Sequence, residues 1–118
     1  MIILKNKDEI DKMKKAGEVI KKLFEEIDKR SIIKIGTTTK SIDLFIGNYI
    51  KDSSAVPSFL NYRGFPANSC ISINDTVVHG IPDDYAIVEG DGILRGEESL
   101  GKALLRERTA DRKRENRE

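Results

Sequence analysis

The sequence has little of the chemistry on which most catalytic sites are built. Its 118 residues include one histidine, His79, one cysteine, Cys70, and no tryptophan. A single cysteine excludes an internal disulfide and favours a reducing compartment. A single histidine leaves few ways to perform proton or metal chemistry, so we expect any catalysis to be organised around His79.

An excess of charge of one sign and long apolar runs are also lacking. The formal net charge is +1, so bulk charge favours neither nucleic acid nor a membrane surface as a partner. No apolar run approaches the ~18 residues of a membrane span, and the first residues contain no signal-peptide core. The sequence therefore predicts a cytoplasmic protein with no membrane contact, for which nucleic acid is not an expected partner.

Two segments have the apolar spacing of amphipathic helices. In the first, Asn6 is a predicted N-cap and Glu9 completes a capping box. Its apolar residues are Ile10, Met13, Ala16, Ile20, Leu23, Phe24 and Ile27. Gly36 predicts a turn, and the threonines at 37–39 offer hydroxyl caps for the second helix. The apolar stripe of that helix consists of Ile42, Phe45, Ile46, Tyr49 and Ile50.

Strand patterns follow the helices. Residues 55–60 are short and apolar but contain Pro57, which indicates an edge strand or a strand entry. Residues 70–73 and 76–79 predict a β-hairpin around the turn residues Asn74 and Asp75. His79 lies near the end of the second arm, where Gly80 permits unusual backbone torsions and Pro82 ends the pairing. Spacing alone leaves both a structural and a functional histidine open.

Longer motifs resemble one known family. The segments KDEIDKMKKAG, IGTTTKSID and NYRGFPANSCISINDTVVHGIP, followed by VEGD, resemble type I methionine aminopeptidases from residue 1 to about 91. The resemblance implies an α+β pita-bread fold made of two similar halves, of which this chain holds the N-terminal half. It also implies a hydrolase with two divalent metal ions, of the Co, Mn, Fe or Zn type, that removes the N-terminal methionine of nascent proteins.

The resemblance also implies roles for individual residues. His79 matches the family histidine that hydrogen-bonds the substrate beside the metals, and is the catalytic candidate. Tyr62, Phe65 and Cys70 match positions that line the pocket for the methionine side chain, and Phe59 falls at another pocket position. Aromatic rings and a thiol suit a thioether, and an imidazole can donate a hydrogen bond to developing negative charge.

Several plainer interpretations stand beside these roles. Cys70 also fits a small buried apolar residue, which is compatible with lining a pocket. Arg63 replaces a histidine frequent in the family, and because a permanent cation cannot titrate, we assign it no catalytic role. Asp75, Asp83 and Asp84 lie close to His79 in sequence, yet aspartates in turns are commonly structural, and we expect no independent metal site there.

The pattern departs from the family after Asp91. Counting along the family motif puts the first two metal-binding aspartates at Gly96 and near Glu107, and neither position carries aspartate. Residues 1–91 contain eleven Lys and two Arg, whereas residues 92–118 contain two Lys and six Arg. We therefore predict a half-domain over 1–91 and a divergent tail over 92–118, disordered or with a short helix at Leu100–Leu105. Such a tail suggests a frameshift, a fusion or a vector-derived extension.

Three functional hypotheses follow. The chain is the N-terminal part of a methionine aminopeptidase, inactive alone and without metal ions of its own. Alternatively, it is a non-catalytic half-fold module that binds peptide, the ribosome or another, complementing chain. In the third case, a second polypeptide supplies the metal half. A half-fold would also expose sheet edges and apolar faces, which predicts weak stability and self-association.

Overall fold

The structure is a computed structural model that describes residues 1–95. Its elements in chain order are helix α1 (Lys7–Lys29), helix α2 (Thr39–Asp52), strand β1 (Ile71–Ile73) and strand β2 (Ile93–Arg95). Between α2 and β1 the chain makes one turn of 3-10 helix at Tyr62–Gly64. β1 and β2 pair antiparallel as a two-stranded sheet. Neither helix in the described part of the chain has the length and apolarity that crossing a bilayer requires.

Both predicted helices and their caps are confirmed. The Asn6 side chain accepts a hydrogen bond from the Glu9 backbone N–H at 2.9 Å, and the Glu9 carboxylate accepts one from the Asn6 N–H at 2.8 Å. The Thr38 hydroxyl accepts from the Ser41 N–H at 3.1 Å. Gly36 lies in the predicted turn, with φ +85°. Each helix therefore begins where a side-chain oxygen satisfies a backbone donor that has no intrahelical acceptor.

The core consists of two apolar clusters joined by partly buried isoleucines. One cluster holds the two helices together and contains Leu23, Ile27 and Ile50. The other packs α2 against β1 and the following segment, and contains Ile42, Ile71 and Ile87. The α2 stripe is therefore core, as predicted. The α1 stripe is buried only in its C-terminal half, because Ile10 and Met13 are exposed.

The prediction of a hairpin whose second strand is residues 76–79 is wrong. β1 has β2 as its partner, and residues 76–79 are not a strand. Asn74 and His79 have φ angles of +50° and +56°, which break the extended conformation at both ends of the loop between them. The returning chain meets β1 where the Ile71 N–H donates to the Gly80 carbonyl at 2.9 Å, and the Thr76 N–H closes the turn onto the Ile73 carbonyl at 3.0 Å.

The predicted strand at residues 55–60 is also absent from the structure, which has irregular backbone and bends there. Pro57 supplies no backbone donor for a strand ladder. The chain then reverses direction, and the Tyr62 N–H donates to the Phe59 carbonyl at 3.0 Å. This turn places aromatic residues, rather than an extended edge, beside the helices.

β2 lies beyond the predicted domain boundary at residue 91. Gly90, with φ +88°, turns the chain into this strand. Residues 96–118 lie outside the described residues. They include the predicted short helix at Leu100–Leu105 and the two positions, Gly96 and Glu107, where the family pattern would place metal ligands. The division into half-domain and tail stays a prediction.

Candidate functional site

The two rarest side chains of the protein lie side by side. The Cys70 Sγ is 3.9 Å from the His79 Nδ1, across nine residues of chain. Cys70 directly precedes β1, and His79 is exposed in the loop that follows β1. The left-handed φ of +56° at His79 is uncommon for a residue with a side chain. The backbone that carries the imidazole therefore has a locally higher conformational energy.

Buried contacts at Gly80 hold this loop against β1. The Gly80 N–H donates to the Ser72 hydroxyl at 3.1 Å, while the Gly80 carbonyl accepts from Ile71. A Cβ atom at position 80 would lie 2.7 Å from the Ile71 carbonyl carbon and 2.8 Å from the Ser72 Cα. Gly80 is therefore required for close approach of two backbones, whereas the predicted unusual torsion occurs one residue earlier, at His79.

Asp43, whose role no sequence motif indicated, fixes the segment that leads into Cys70. Its carboxylate is buried, with the residue 6% exposed. It accepts from the Asn68 side-chain amide at 3.0 Å and from the Ser69 backbone N–H and hydroxyl at 2.8 and 2.6 Å. Gly47 leaves room for the Asn68 side chain, since a Cβ there would lie 2.7 Å from the Asn68 Cγ. The sequence did contain one sign of a buried role for Asp43, because this aspartate directly follows Ile42 in the apolar stripe of α2.

The environment of Cys70 disfavours its thiolate. Partial burial raises the pKa of the Cys70 thiol, and the negative charge of Asp43 raises this pKa further. A thiol with a raised pKa is a poor nucleophile at neutral pH, because the thiolate is the reactive form. The geometry therefore favours Cys70 as a contact surface over Cys70 as an attacking group.

The three predicted aromatic residues lie in one tight turn. The rings of Phe59 and Phe65 meet edge to face, with centroids 6.3 Å apart and planes at 67°. The Phe65 N–H donates to the Tyr62 carbonyl at 2.9 Å, and Asn61 and Arg63 adopt left-handed φ angles of +63° and +49°. The Arg63 guanidinium lies 5.4 Å from the centre of the Tyr62 ring, which gives this cation a packing role.

The structure brings some of the predicted site residues together and separates others. Phe59 and Cys70 line one apolar cavity of about 310 Å³ between the helices and the chain around β1. His79 contacts Cys70, but His79, Tyr62 and Phe65 are not among the residues that line this cavity. The five predicted residues thus form an imidazole–thiol pair and an aromatic turn, and Cys70 and Phe59 connect the two through the cavity.

Asp91 organises the entry into β2. Its carboxylate accepts from the Val88 backbone N–H, the Tyr85 hydroxyl and the Asn74 side-chain amide, each at 2.9 Å. The side-chain Oδ1 of Asn74 in turn accepts from the Gly92 N–H at 2.9 Å. The bond from Val88, followed by that from Asn74, lowers the pKa of Asp91, while the bond to Asp91 raises the pKa of Tyr85. Asp91 thus ties β2 to the β1 turn.

This network predicts a dependence of stability on pH. Because the pKa of Asp91 is lower in the folded state, its contribution is fully present above the unfolded value of about 3.9 and is lost as pH falls through the folded value. We expect the free energy of unfolding to fall on acidification, and to fall less in Asp91→Asn. Urea titrations between pH 6 and pH 3 measure both. Equal acid dependence in the two proteins would contradict the assignment to Asp91.

A metal centre needs several ligand side chains close together. Within residues 1–95, no three side chains of His, Cys, Asp or Glu converge as a metal site would need. Asp83 illustrates this, because its Oδ1 accepts from the Thr39 hydroxyl at 3.2 Å and from the Tyr85 N–H at 2.9 Å. The described residues therefore do not fit a metal centre.

The sequence of this chain matches a known protein family. The sequence model of metallopeptidase family M24 matches residues 11–95, which is most of the chain. The chain belongs to metallopeptidase family M24. The match begins inside α1 and ends with β2, so it includes Asp43, the aromatic turn, Cys70, His79 and Asp91.

Methionine aminopeptidases are among the relatives of this M24 chain. That of Clostridium acetobutylicum is 42% identical over 92 residues, and methionine aminopeptidase 1 of Bacillus subtilis is 40% identical over 91. Each match covers 77% of this chain but 36% of the relative, so the chain spans about a third of their length.

Solved structures agree with the sequence matches. The methionine aminopeptidase of Thermotoga maritima superposes with a TM-score of 0.73 at 34% identity, and that of Rickettsia prowazekii with 0.72 at 35%. The match covers 79% of this chain and 37% of each structure. The described residues therefore share part of the pita-bread fold of these enzymes.

Proposed function

We propose that this chain carries the substrate-binding side of a metal-dependent aminopeptidase site that removes N-terminal methionine. The observation that carries the proposal is the 3.9 Å approach of Cys70 and His79 beside the apolar cavity that Cys70 shares with Phe59. An exposed hydrogen-bonding ring next to an apolar cavity is suited to a peptide with an apolar first side chain. On this proposal the chain alone is inactive.

His79 is the proposed catalytic residue because its side chain is exposed while the backbone of its loop is held in place. Its loop is held by Gly80 against β1 and by Asp83 against the start of α2, where the Asp83 N–H donates to the Thr39 hydroxyl at 2.8 Å. The imidazole can donate a hydrogen bond to the scissile carbonyl as negative charge develops on its oxygen. Prior fixation of the donor makes this bond effective, since little reorganisation is needed during the reaction.

The methionine side chain is proposed to contact Cys70, Phe59, Tyr62 and Phe65. The neutral thiol of Cys70 and the ring of Phe59 offer soft, apolar surface, which a thioether prefers. Tyr62 and Phe65 belong to the same turn as Phe59, and the Phe65 ring contacts the Phe59 ring. The family name implies metal ions. On this proposal, the residues that bind them lie in the part of the relatives that this chain does not match.

The test uses a complete enzyme that contains this chain. The matched segment of the Clostridium acetobutylicum relative is replaced by residues 1–95, and release of methionine from a short peptide is measured with added Mn²⁺ or Co²⁺. We expect activity in this chimera and a roughly 100-fold lower kcat in its His79→Ala variant, equivalent to about 2.7 kcal/mol. The loss falls on kcat more than on KM, because the hydrogen bond strengthens in the transition state.

Thr76→Ala, in the same exposed loop, is the matched control and should stay within about twofold of the chimera. Unchanged kcat in His79→Ala would remove the catalytic role from His79. A folded but inactive chimera would favour the alternative of a non-catalytic half-fold module. A cytoplasmic location, proximity to the ribosome and self-association also remain proposals, supported by the single cysteine and by the exposed apolar side chains.

A further inference from the structure

Arg63 brings a single positive charge to the aromatic turn, and no acidic side chain neutralises it there. It is the only lysine or arginine between Lys51 and Arg95. The residue is exposed, and within residues 1–95 no carboxylate lies at ion-pair distance from its guanidinium. A guanidinium has five N–H donors in a rigid, planar fork. Those of Arg63 are therefore open to a ligand.

The Arg63 side chain is held at both of its ends. Its backbone is left-handed, with φ +49°, and is flanked by the left-handed Asn61 and Gly64, with φ +63° and +80°. At the other end, the guanidinium lies 5.4 Å from the centre of the Tyr62 ring. Arginine rarely adopts left-handed backbone, and such departures gather at functional sites. A guanidinium held at an aromatic ring loses less side-chain freedom when it binds a carboxylate.

The place of Arg63 in the turn selects a peptide as its ligand. Tyr62 is proposed to contact the methionine side chain, so a bound substrate passes beside the guanidinium. In an extended peptide, side chains two residues apart point to the same face and lie about 7 Å apart. The third side chain of the peptide therefore points to the turn that contacts the methionine, at a separation comparable with the 5.4 Å between ring and guanidinium. A nucleic-acid site would need several cations, and this segment has one.

We infer that Arg63 is a specificity-determining residue that binds an acidic side chain at the third residue of the substrate peptide. The planar guanidinium matches a carboxylate through two parallel N–H···O hydrogen bonds. This contact lies away from the scissile bond and is the same in the ground state and the transition state, so it acts on KM rather than on kcat. The inference rests on the proposed function, because the position of the methionine determines where the third residue lies.

The experiment measures peptide binding to the full 118-residue chain by nuclear magnetic resonance titration. The peptides are Met-Ala-Glu-Gly and Met-Ala-Gln-Gly, both as C-terminal amides, so that the glutamate side chain is the only carboxylate. At neutral pH and low salt we expect a Kd about fivefold lower for the glutamate peptide, because an exposed charge pair contributes a modest amount of binding energy. The preference should decrease in about 0.5 M salt, which screens the pair.

Variants of two exposed cations assign the preference. Arg63→Gln removes the charge and should abolish the preference, whereas Arg63→Lys keeps the charge without the planar fork and should retain part of it. Lys51→Gln removes an exposed charge from the last turn of α2, and this matched control should keep the full preference. Met-Ala-Ala-Glu amide and its glutamine counterpart should bind about equally, because the fourth side chain points to the opposite face of the peptide.

Equal Kd values for the glutamate and glutamine peptides overturn the inference. A preference that survives in Arg63→Gln, that disappears in Lys51→Gln, or that is as large at the fourth residue overturns it too. The chimera that contains residues 1–95 separates this result from the proposed function. In an active chimera the glutamate peptide should have about fivefold lower KM at unchanged kcat, and Arg63→Gln should remove that difference.

Activity of the chimera without this difference in KM leaves the proposed function standing and removes the role of Arg63. An inactive chimera removes the proposed function, and the binding preference of the chain alone then decides whether Arg63 recognises an acidic peptide.

Discussion

Replacing Asp43 with alanine is expected to lower the free energy of unfolding by about 3 kcal/mol. The buried carboxylate accepts from two backbone N–H groups, those of Asn68 and Ser69, and from both of their side chains. Alanine removes every one of these acceptors and leaves partly buried donors unpaired. Small domains have about 5–15 kcal/mol of total stability, so this variant loses a large fraction of it.

Urea denaturation followed by circular dichroism at 222 nm measures the effect. The control is Asp52→Ala, since Asp52 lies exposed at the end of the same helix and its loss should change stability by no more than about 0.5 kcal/mol. Asp43→Asn should fall between the two, because one acceptor oxygen is kept. Equal stabilities for Asp43→Ala and Asp52→Ala would show that the Asp43 bonds do not hold the Cys70 segment.

Replacing Gly80 with alanine is the second large effect, expected to cost at least about 3 kcal/mol. The added Cβ would meet the carbonyl group of Ile71 and the Cα of Ser72, which are backbone atoms of β1 and cannot rotate away. Relief requires the loop to move off β1, and this breaks the two hydrogen bonds that Gly80 makes with Ile71 and Ser72.

Gly92→Ala provides the control for this substitution. Its nearest neighbour would be the Asn74 Oδ1 at 3.9 Å, an ordinary van der Waals distance, so the change should be small. Nuclear magnetic resonance adds a local readout, because the His79 ring signals should shift in Gly80→Ala and stay in place in Gly92→Ala. Wild-type stability of Gly80→Ala would mean that the loop and β1 separate at little cost.

The parts of the fold that depend on neighbouring residues were predictable from sequence. Asn6 with Glu9, and Thr38 with Ser41, form caps within three residues, so the helix starts could be read directly. The apolar stripe of α2 was likewise a local pattern, and its residues pack into the two core clusters. The family resemblance was recognisable because its motifs are long, and the family match confirmed it.

The parts that depend on distant partners were not predictable in the same way. β1 was predicted to pair with residues 76–79, but the left-handed backbone at Asn74 and His79 breaks that arm, and β1 pairs with β2 instead. Asp43 contacts residues 25 and 26 positions away, so its role required the tertiary structure. Asp91 and Asn74 are 17 positions apart, so the hydrogen bonds of Asp91 could not be predicted from sequence for the same reason.

The left-handed backbone of His79 has an evolutionary consequence. Glycine and asparagine adopt this conformation more readily, so selection for stability alone would favour them at position 79. Neither residue carries an imidazole. On the proposed function, retaining histidine costs local conformational energy of order 1 kcal/mol, and a lineage that loses the proposed role of His79 is free to drift toward the less strained residues. The identity of position 79 would then record whether that proposed role is still under selection.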